Sequence, residues 1–381
     1  MSQSDPLLMI PGPTNLPPEV REALSGPGFY HRGEQMRALL ERCTDGLRGL
    51  MGTSGDVITL TSSGTGALEA AITSVLSPGD RVLAIDAGKF GERLGEIAAA
   101  FGAEVTPLTI EPGRAADPDS VRNALAAGDY RALLTVYNET STGVMHPIRE
   151  IAAAAQDAGA LVICDCVSCL GGVPVEADEW GIDVVAAGSQ KCLMLPPGLA
   201  FVGVREQAWE AASRATMPSY YFDLRKAREA LHKGQTPYTP STTLIAALGA
   251  ALDLIEAEGR EAVFARHAAM AAATRAAMEA AGLALFAADG ARSQTVTAVH
   301  SPVDSVALVG SLRDEHNVLI SGGQGDLKGR IFRIGHMGTV RIEQIERTLK
   351  ALADGLSNLG YECDAAAMVN AARRAAEQGA G

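Results

Sequence analysis

Between residues 56 and 204 the chain alternates two patterns. Short apolar, β-branched runs predict strands at 57–61, 81–86, 104–110, 132–137, 161–166, 182–187 and 199–204. Amphipathic stretches between them predict helices: one with apolar Leu68, Ala71, Ile72 and Val75, then 90–101, 118–127 with Asp117 as N-cap, and 147–158. Ser77-Pro78-Gly79-Asp80 reads as a turn. Regular strand–helix repetition implies an α/β fold with a mostly parallel central sheet flanked by helices. Ligands of such sheets sit at the carboxyl ends of the strands.

The pattern changes after two long helices, 244–258 and 261–281. Strands at 295–300, 318–320 and 330–334, with helices at 305–315 and 342–356, predict a smaller α+β domain. An alanine-rich tail predicts a fraying helix. Before the sheet, Pro11-Gly12-Pro13-Thr14-Asn15-Leu16-Pro17-Pro18 forbids a continuous helix and fixes an extended path. That segment is either a surface arm or a loop over a site. Helices follow at 18–24 and 36–51, separated by the loop Phe29-Tyr30-His31-Arg32-Gly33. The expected organisation is an N-terminal arm over 1–20, a large α/β domain over 21–250 and a small C-terminal α+β domain over 251–381. No internal repeat is visible.

Composition narrows the function. The 381 residues are 47% hydrophobic and 20% charged, as in a globular protein. The net charge is -13, from 32 basic and 45 acidic side chains, which argues against a nucleic-acid partner. No apolar run is long enough for a membrane span, and the first residues are polar, so a cytoplasmic protein without a signal peptide is expected. The six cysteines read as reduced thiols. Cys164, Cys166 and Cys169 have a spacing that invites a metal. They fall on or beside a buried strand, however, where cysteine acts as a small hydrophobe, so no metal is expected.

Four features can carry chemistry. Ser63-Gly64-Thr65-Gly66 joins a strand to a helix start, where free amides and the helix dipole favour an anion. It is neither a Walker loop nor a dinucleotide fingerprint, and an ordinary capped turn would look the same. Asp165 ends a strand and points toward the ligand crevice, as a cation partner or a helix cap. Lys191, in Gly188-Ser189-Gln190-Lys191, follows one apolar strand and precedes Pro196-Pro197-Gly198 and another. Desolvation there would lower its pKa and suit a nucleophilic amine; a solvated loop lysine is the plain alternative. Arg333, in Phe332-Arg333-Ile334-Gly335-His336-Met337-Gly338, could bind a carboxylate with two bonds or form a surface ion pair. Asn138-Glu139-Thr140-Ser141-Thr142-Gly143 adds a polar cluster at another strand end, a ligand site or a turn.

An anion cradle, an acid, a lysine and an arginine in this order match the needs of pyridoxal 5'-phosphate. The chain resembles the class V branch of the fold-type I PLP-dependent transferases, nearest the alanine–glyoxylate and serine–glyoxylate (serine–pyruvate) aminotransferases. The likeness runs from Pro11-Gly12-Pro13 to Met337-Gly338. It is most specific at Gly188-Ser189-Gln190-Lys191, at Asn138 to Gly143 and at Asp165-Cys166-Val167-Ser168-Cys169-Leu170-Gly171-Gly172. The resemblance implies that Lys191 carries the cofactor as a Schiff base and shuttles the proton, with Asp165 on the pyridinium nitrogen. It implies Ser63, Gly64, Thr65 and Gln190 on the phosphate, Phe90 and Val167 on the two ring faces, and Thr140 near the phenolic oxygen. Thr236 and Thr239 would reach the phosphate from a second subunit, which requires a homodimer with shared sites. Arg333 would bind the substrate carboxylate, with the Gly12 loop nearby.

The implied reaction is a ping-pong transfer from alanine or serine to a 2-oxo acid, glyoxylate or pyruvate. Thr65 and Phe90 stand where relatives have histidine and tryptophan, which leaves the donor open: 2-aminoethylphosphonate, ureidoglycine and aspartate are alternatives. A cysteine desulfurase is the rival on this fold. Gln190, where those enzymes have histidine, and a single late cysteine, Cys363, argue against it.

Overall fold

The computed structural model describes residues 5–379. The readings of the first four residues and of the last two lie outside the described residues. Seven strands form the main sheet, in the order Asp56–Ser62, Gly198–Val204, Val184–Gly188, Leu161–Asp165, Ala132–Val136, Arg81–Asp86, Glu104–Thr109. Neighbours from Val184–Gly188 to Glu104–Thr109 pair in parallel. Gly198–Val204 runs antiparallel to both its neighbours, with Ala200 opposite Leu60 on one side and Gly188 on the other. The reason lies in the connection. A parallel return needs a crossover of roughly a dozen residues or more, and the link from Gly188 to Gly198 is too short for one. Lys191 sits in that tight reversal.

The inner strands are buried on both sides, so consecutive apolar residues serve opposite faces, while the edge strand Glu104–Thr109 is half-exposed. Leu133 and Val185 pack into a core with Leu47, Ile151 and Leu248. Leu134 and Val184 pack into another with Ile72, Leu94 and Val202. Helices Gly64–Val75 and Lys89–Ala100 cover the second face; Glu34–Met51, Ile148–Asp157 and Thr242–Glu258 cover the first.

The smaller unit has a three-stranded antiparallel sheet, Val296–His300, Ile331–Gly335 and Ser321–Gly322. Its core also takes residues of helices Arg260–Ala280, Ser305–His316, Ile342–Asn358 and Ala365–Gly379. The terminal helix is docked through buried Met368, Val369 and Ala372. Residues 250 and 251, the expected boundary, fall inside Thr242–Glu258, whose Ile245, Leu248, Ala251, Leu252 and Ile255 pack on the large-domain core.

The N-terminal arm is built into the small unit. Leu7–Leu8 pairs in parallel with Val318–Leu319, Met9 N–H donates to Leu319 O, and Gly335 N–H donates to Met9 O. Short helices at Ala177–Trp180, Glu206–Ala212 and Leu224–Leu231 escaped the periodicity reading. They have 4, 7 and 8 residues, shorter than the window of roughly 11 or more over which a helical period is read. Among the described residues no helix is long and apolar enough to cross a membrane.

Candidate active site

The carboxyl ends of the parallel strands deliver most of the expected residues to one edge. Asp165 is the last residue of its strand and is buried. Its Oδ1 accepts from the Val167 amide at 2.7 Å. Burial pushes its carboxyl up to about 7, while the Lys191 charge pulls the other way. Lys191 is half-buried in the reversal. Burial lowers its ammonium to about 8; Asp165 opposes that shift and Arg333 adds to it. Lys191 thus feels the charges of both Asp165 and Arg333.

Ser189 and the N-terminal arm hold the lysine loop. Ser189 Oγ donates to Pro196 O at 2.7 Å and accepts from Leu199 N–H at 3.2 Å. Thr14 Oγ1 donates to Lys191 O at 3.1 Å, and Lys191 Nζ donates to Pro11 O. Gly12, at φ 95°, lies on the lysine side chain: an added Cβ would stand 2.5 Å from Lys191 Cδ and 2.8 Å from Nζ. The arm is thus the loop over a site rather than a free surface segment.

Ser63 is the N-cap of helix Gly64–Val75, and no side chain caps that end, so its first amides are open to an anion. A Cβ on Gly64 would stand 2.7 Å from Val167 Cγ2, so glycine lets the helix start close on Val167. Thr65 is exposed beside it. Gln190 Oε1 is buried without a hydrogen-bond partner, about 3.0 Å from where a Gly188 Cβ would be.

Arg333 reaches the same region from the small unit. It is the only buried arginine or lysine among the described residues. Its Nη1 donates to Thr140 O at 3.0 Å; Nε and Nη2 donate to Gly322 O at 3.1 and 2.8 Å. No carboxylate bonds to it among the described residues, and burial lowers its guanidinium to about 10. Three bonds to carbonyls fix its plane without a direct ion pair to a carboxylate, as a binder of an external carboxylate requires. Thr140 is buried beside it. Phe90 is half-buried in the first turn of helix Lys89–Ala100.

Two expected residues stand apart within one chain. Half-buried Thr236 and exposed Thr239 lie against Thr59 and Thr61, not against Lys191. Thr236 Oγ1 donates to Tyr238 O at 2.7 Å. The three clustered cysteines are buried and free, with Cys164 and Cys166 sulfurs 3.7 Å apart. Burial pushes the Cys164 and Cys169 thiols well up. Among the described residues no group of side chains could hold a metal ion. Sequence reasoning overlooked Glu139, buried and bonded on both oxygens. Within Asn-Glu-Thr-Ser-Thr-Gly it looks like one more turn residue bonded to Ser141, and its other partners, Phe90 and Gly91, lie 49 and 48 positions away.

The family described as Aminotransferase class-V matches residues 9–343. An uncharacterized aminotransferase of Methanocaldococcus jannaschii is 43% identical, over 93% of this chain and 94% of its own. A Synechococcus protein named soluble hydrogenase, small subunit, is 42% identical over 94% and 95%. The L-aspartate–glyoxylate aminotransferase of Paracoccus denitrificans is 37% identical over 89% and 88%. The crystal structure of ureidoglycine–glyoxylate aminotransferase from Bacillus subtilis superposes with a TM-score of 0.93 at 30% identity, covering 99% of both chains.

Proposed function

The chain belongs to the class V aminotransferases, and on that premise we propose that it moves an amino group from alanine or serine to a small 2-oxo acid, glyoxylate or pyruvate. What supports this reading is that Asp165 ends one strand, Lys191 follows the strand paired with it, and Arg333 is bonded to the Thr140 carbonyl. The two relatives named above for their substrates share glyoxylate as acceptor and differ in donor. The site favours a donor with one carboxylate. Arg333 is the only buried cation among the described residues, whereas a dicarboxylic donor such as aspartate calls for a second.

The residues fit the pyridoxal 5'-phosphate that the family implies. The uncapped helix start at Ser63-Gly64-Thr65 suits its phosphate, and Gln190 would meet it through its side-chain N–H rather than its Oε1. Asp165 suits its ring nitrogen, Val167 and Phe90 its faces, Thr140 its phenolic oxygen, and Lys191 Nζ its aldehyde. When bound, the cofactor supplies an electron sink for the bond broken at the substrate carbon. Asp165, ionised beside a cation, keeps that nitrogen protonated. Arg333 binds and orients the donor carboxylate. Lys191 Nζ, with its ammonium lowered to about 8, is free as the amine for part of the population near neutral pH. It would take the proton from the donor Cα and deliver it, on the same face, to the carbon of the cofactor's aldehyde group, so that the nitrogen stays with the cofactor. Such proton transfer contributes about 10²–10⁴-fold. The Pro11 carbonyl holds Nζ on that face, and the Gly12 arm limits water above it.

We read the active molecule as a homodimer in which Thr236 and Thr239 reach the partner's phosphate cradle. Supporting this, the same surface exposes Tyr220 and Tyr221, with Tyr221 stacked on Tyr238 at 5.2 Å, apolar area that a second chain would cover. Cys363 packs against the small-domain core, not at the site, which leaves a desulfurase reading without its thiol.

The test is a panel. Cofactor-loaded protein is mixed with alanine, serine, aspartate, ureidoglycine or 2-aminoethylphosphonate, and the aldehyde absorbance is followed. Glyoxylate or pyruvate is then added to restore it. Alanine or serine should convert the cofactor fastest. Conversion by aspartate alone would transfer the assignment to that donor, and conversion by none would remove the function.

A further inference from the structure

Glu139 has no part in the chemistry above, yet it is fully buried in the two-residue strand Asn138–Glu139, which follows Ala132–Val136 and pairs antiparallel with Val144–Met145. A buried carboxylate is costly unless its oxygens are satisfied. Here both are. Oε2 accepts from the amides of Phe90 and Gly91, each at 3.0 Å. Oε1 accepts from the Ser141 amide at 3.1 Å and the Ser141 hydroxyl at 2.5 Å. Ser141 Oγ in turn accepts from the Lys89 amide at 3.1 Å. Three consecutive amides at the start of helix Lys89–Ala100 therefore end on one carboxylate and its serine. The helix's own N-cap, Gly88, has no side chain to offer them. It has no room for one either: a Cβ there would stand 2.5 Å from Ser141 Oγ and 2.8 Å from Glu139 Cδ.

The same loop meets Arg333. Thr140, next to Glu139, takes Nη1 of the guanidinium on its carbonyl. Gly322 O holds the opposite side. Glu139 is also the acid whose charge offsets the burial of that guanidinium. The carboxylate thus stands between the helix start carrying Phe90 and the loop that sets the arginine plane.

We propose that Glu139 is a positioning residue for the transfer reaction. Its carboxylate locks the start of helix Lys89–Ala100 to the 138–143 loop and, through the Thr140 carbonyl, aims Arg333 at the substrate carboxylate. This rests on the reading of Arg333 as the carboxylate binder.

The test uses the cofactor-loaded full chain, with propionate as an unreactive carboxylate and alanine as donor. Glu139→Gln keeps the volume but replaces an acceptor oxygen with a donor, so the Ser141 amide loses its partner. Hydrogen exchange at Phe90, Gly91 and Ser141 should accelerate. Propionate should bind about tenfold more weakly or worse, the size of one charge-assisted bond. KM for alanine should rise by a similar factor, with kcat changed by less than about threefold. Glu139→Asp, which keeps the charge, should recover part of the loss.

Propionate affinity within about twofold of the wild type in folded Glu139→Gln overturns the proposal, because one such bond is worth more than that. If Glu139→Gln does not fold, Ser141→Ala takes its place. It removes one bond to Oε1 and the acceptor for the Lys89 amide, and is judged by the same affinity. A wild type that neither binds propionate nor takes an amino group would defeat the functional reading itself. A wild type that does both beside an unaltered variant defeats only this inference.

Discussion

Gly12→Ala isolates the contact between the N-terminal arm and the reactive lysine. Gly12 has φ 95°, where an L-residue is strained by about 1–2 kcal/mol. The new Cβ would stand 2.5 Å from Lys191 Cδ, 2.8 Å from Nζ and 2.9 Å from Cε. Carbon atoms prefer separations near about 3.5 Å or more, so the lysine must withdraw by about 1 Å. The lysine cannot retreat freely, because its backbone carbonyl is held by Thr14 and its side chain would be tethered by the cofactor in the loaded protein. A 1 Å misplacement of a reacting group costs about 10²-fold in rate. The assay is stopped-flow conversion of the cofactor's aldehyde form at saturating alanine, beside urea unfolding in the same buffer. The conversion rate should fall about 10²-fold while stability falls by only about 1–2 kcal/mol. An unchanged rate, or one that falls only with the fraction of folded protein, would refute the reasoning.

Arg333→Lys keeps a charge but loses the planar fork that Thr140 O and Gly322 O hold in place. Saturation curves should show KM for the donor raised about 10-fold or more, the size of one lost charge-assisted bond, with a smaller change in kcat. Asp165 supplies a pH signature in the cofactor-free protein. Its folded carboxyl titrates at about 7, against 3.8 when free. Between those values the folded chain keeps the proton that the unfolded chain has lost, so this group's stability contribution is full below about pH 4 and is lost as pH rises through 7. The loss is up to about 4 kcal/mol. Asp165→Asn should therefore gain on the wild type in denaturant unfolding as pH goes from 5 to 7.5, while losing transfer activity. A stability difference that does not change with pH would contradict the burial cause.

Legibility followed local order. Lys191 and Asp165 stood out because strand–helix alternation puts strand ends at the ligand edge, and both occupy such ends. Arg333 was identifiable as a candidate, but three carbonyl bonds from two domains, rather than a carboxylate, distinguish it from a surface ion pair. The reversed direction of Gly198–Val204 left no trace in hydrophobicity, because a fully buried strand reads the same either way. Glu139 was hidden for a different reason. Its meaning depends on Gly88 allowing helix Lys89–Ala100 to approach from a neighbouring strand end, a contact that no window of sequence contains. The arm's role likewise required Leu7–Leu8 to pair with Val318–Leu319 before Gly12 could lie on Lys191.

The central claim is that Lys191 is the amine that carries the cofactor and moves the proton. Borohydride reduction of the loaded protein, followed by peptide mass spectrometry, tests it directly. The account predicts one modified peptide, with the reduced cofactor on Lys191, and neither modification nor transfer in Lys191→Ala. A cofactor found on another lysine, or a Lys191→Ala variant that transfers amino groups at the wild-type rate, would contradict it.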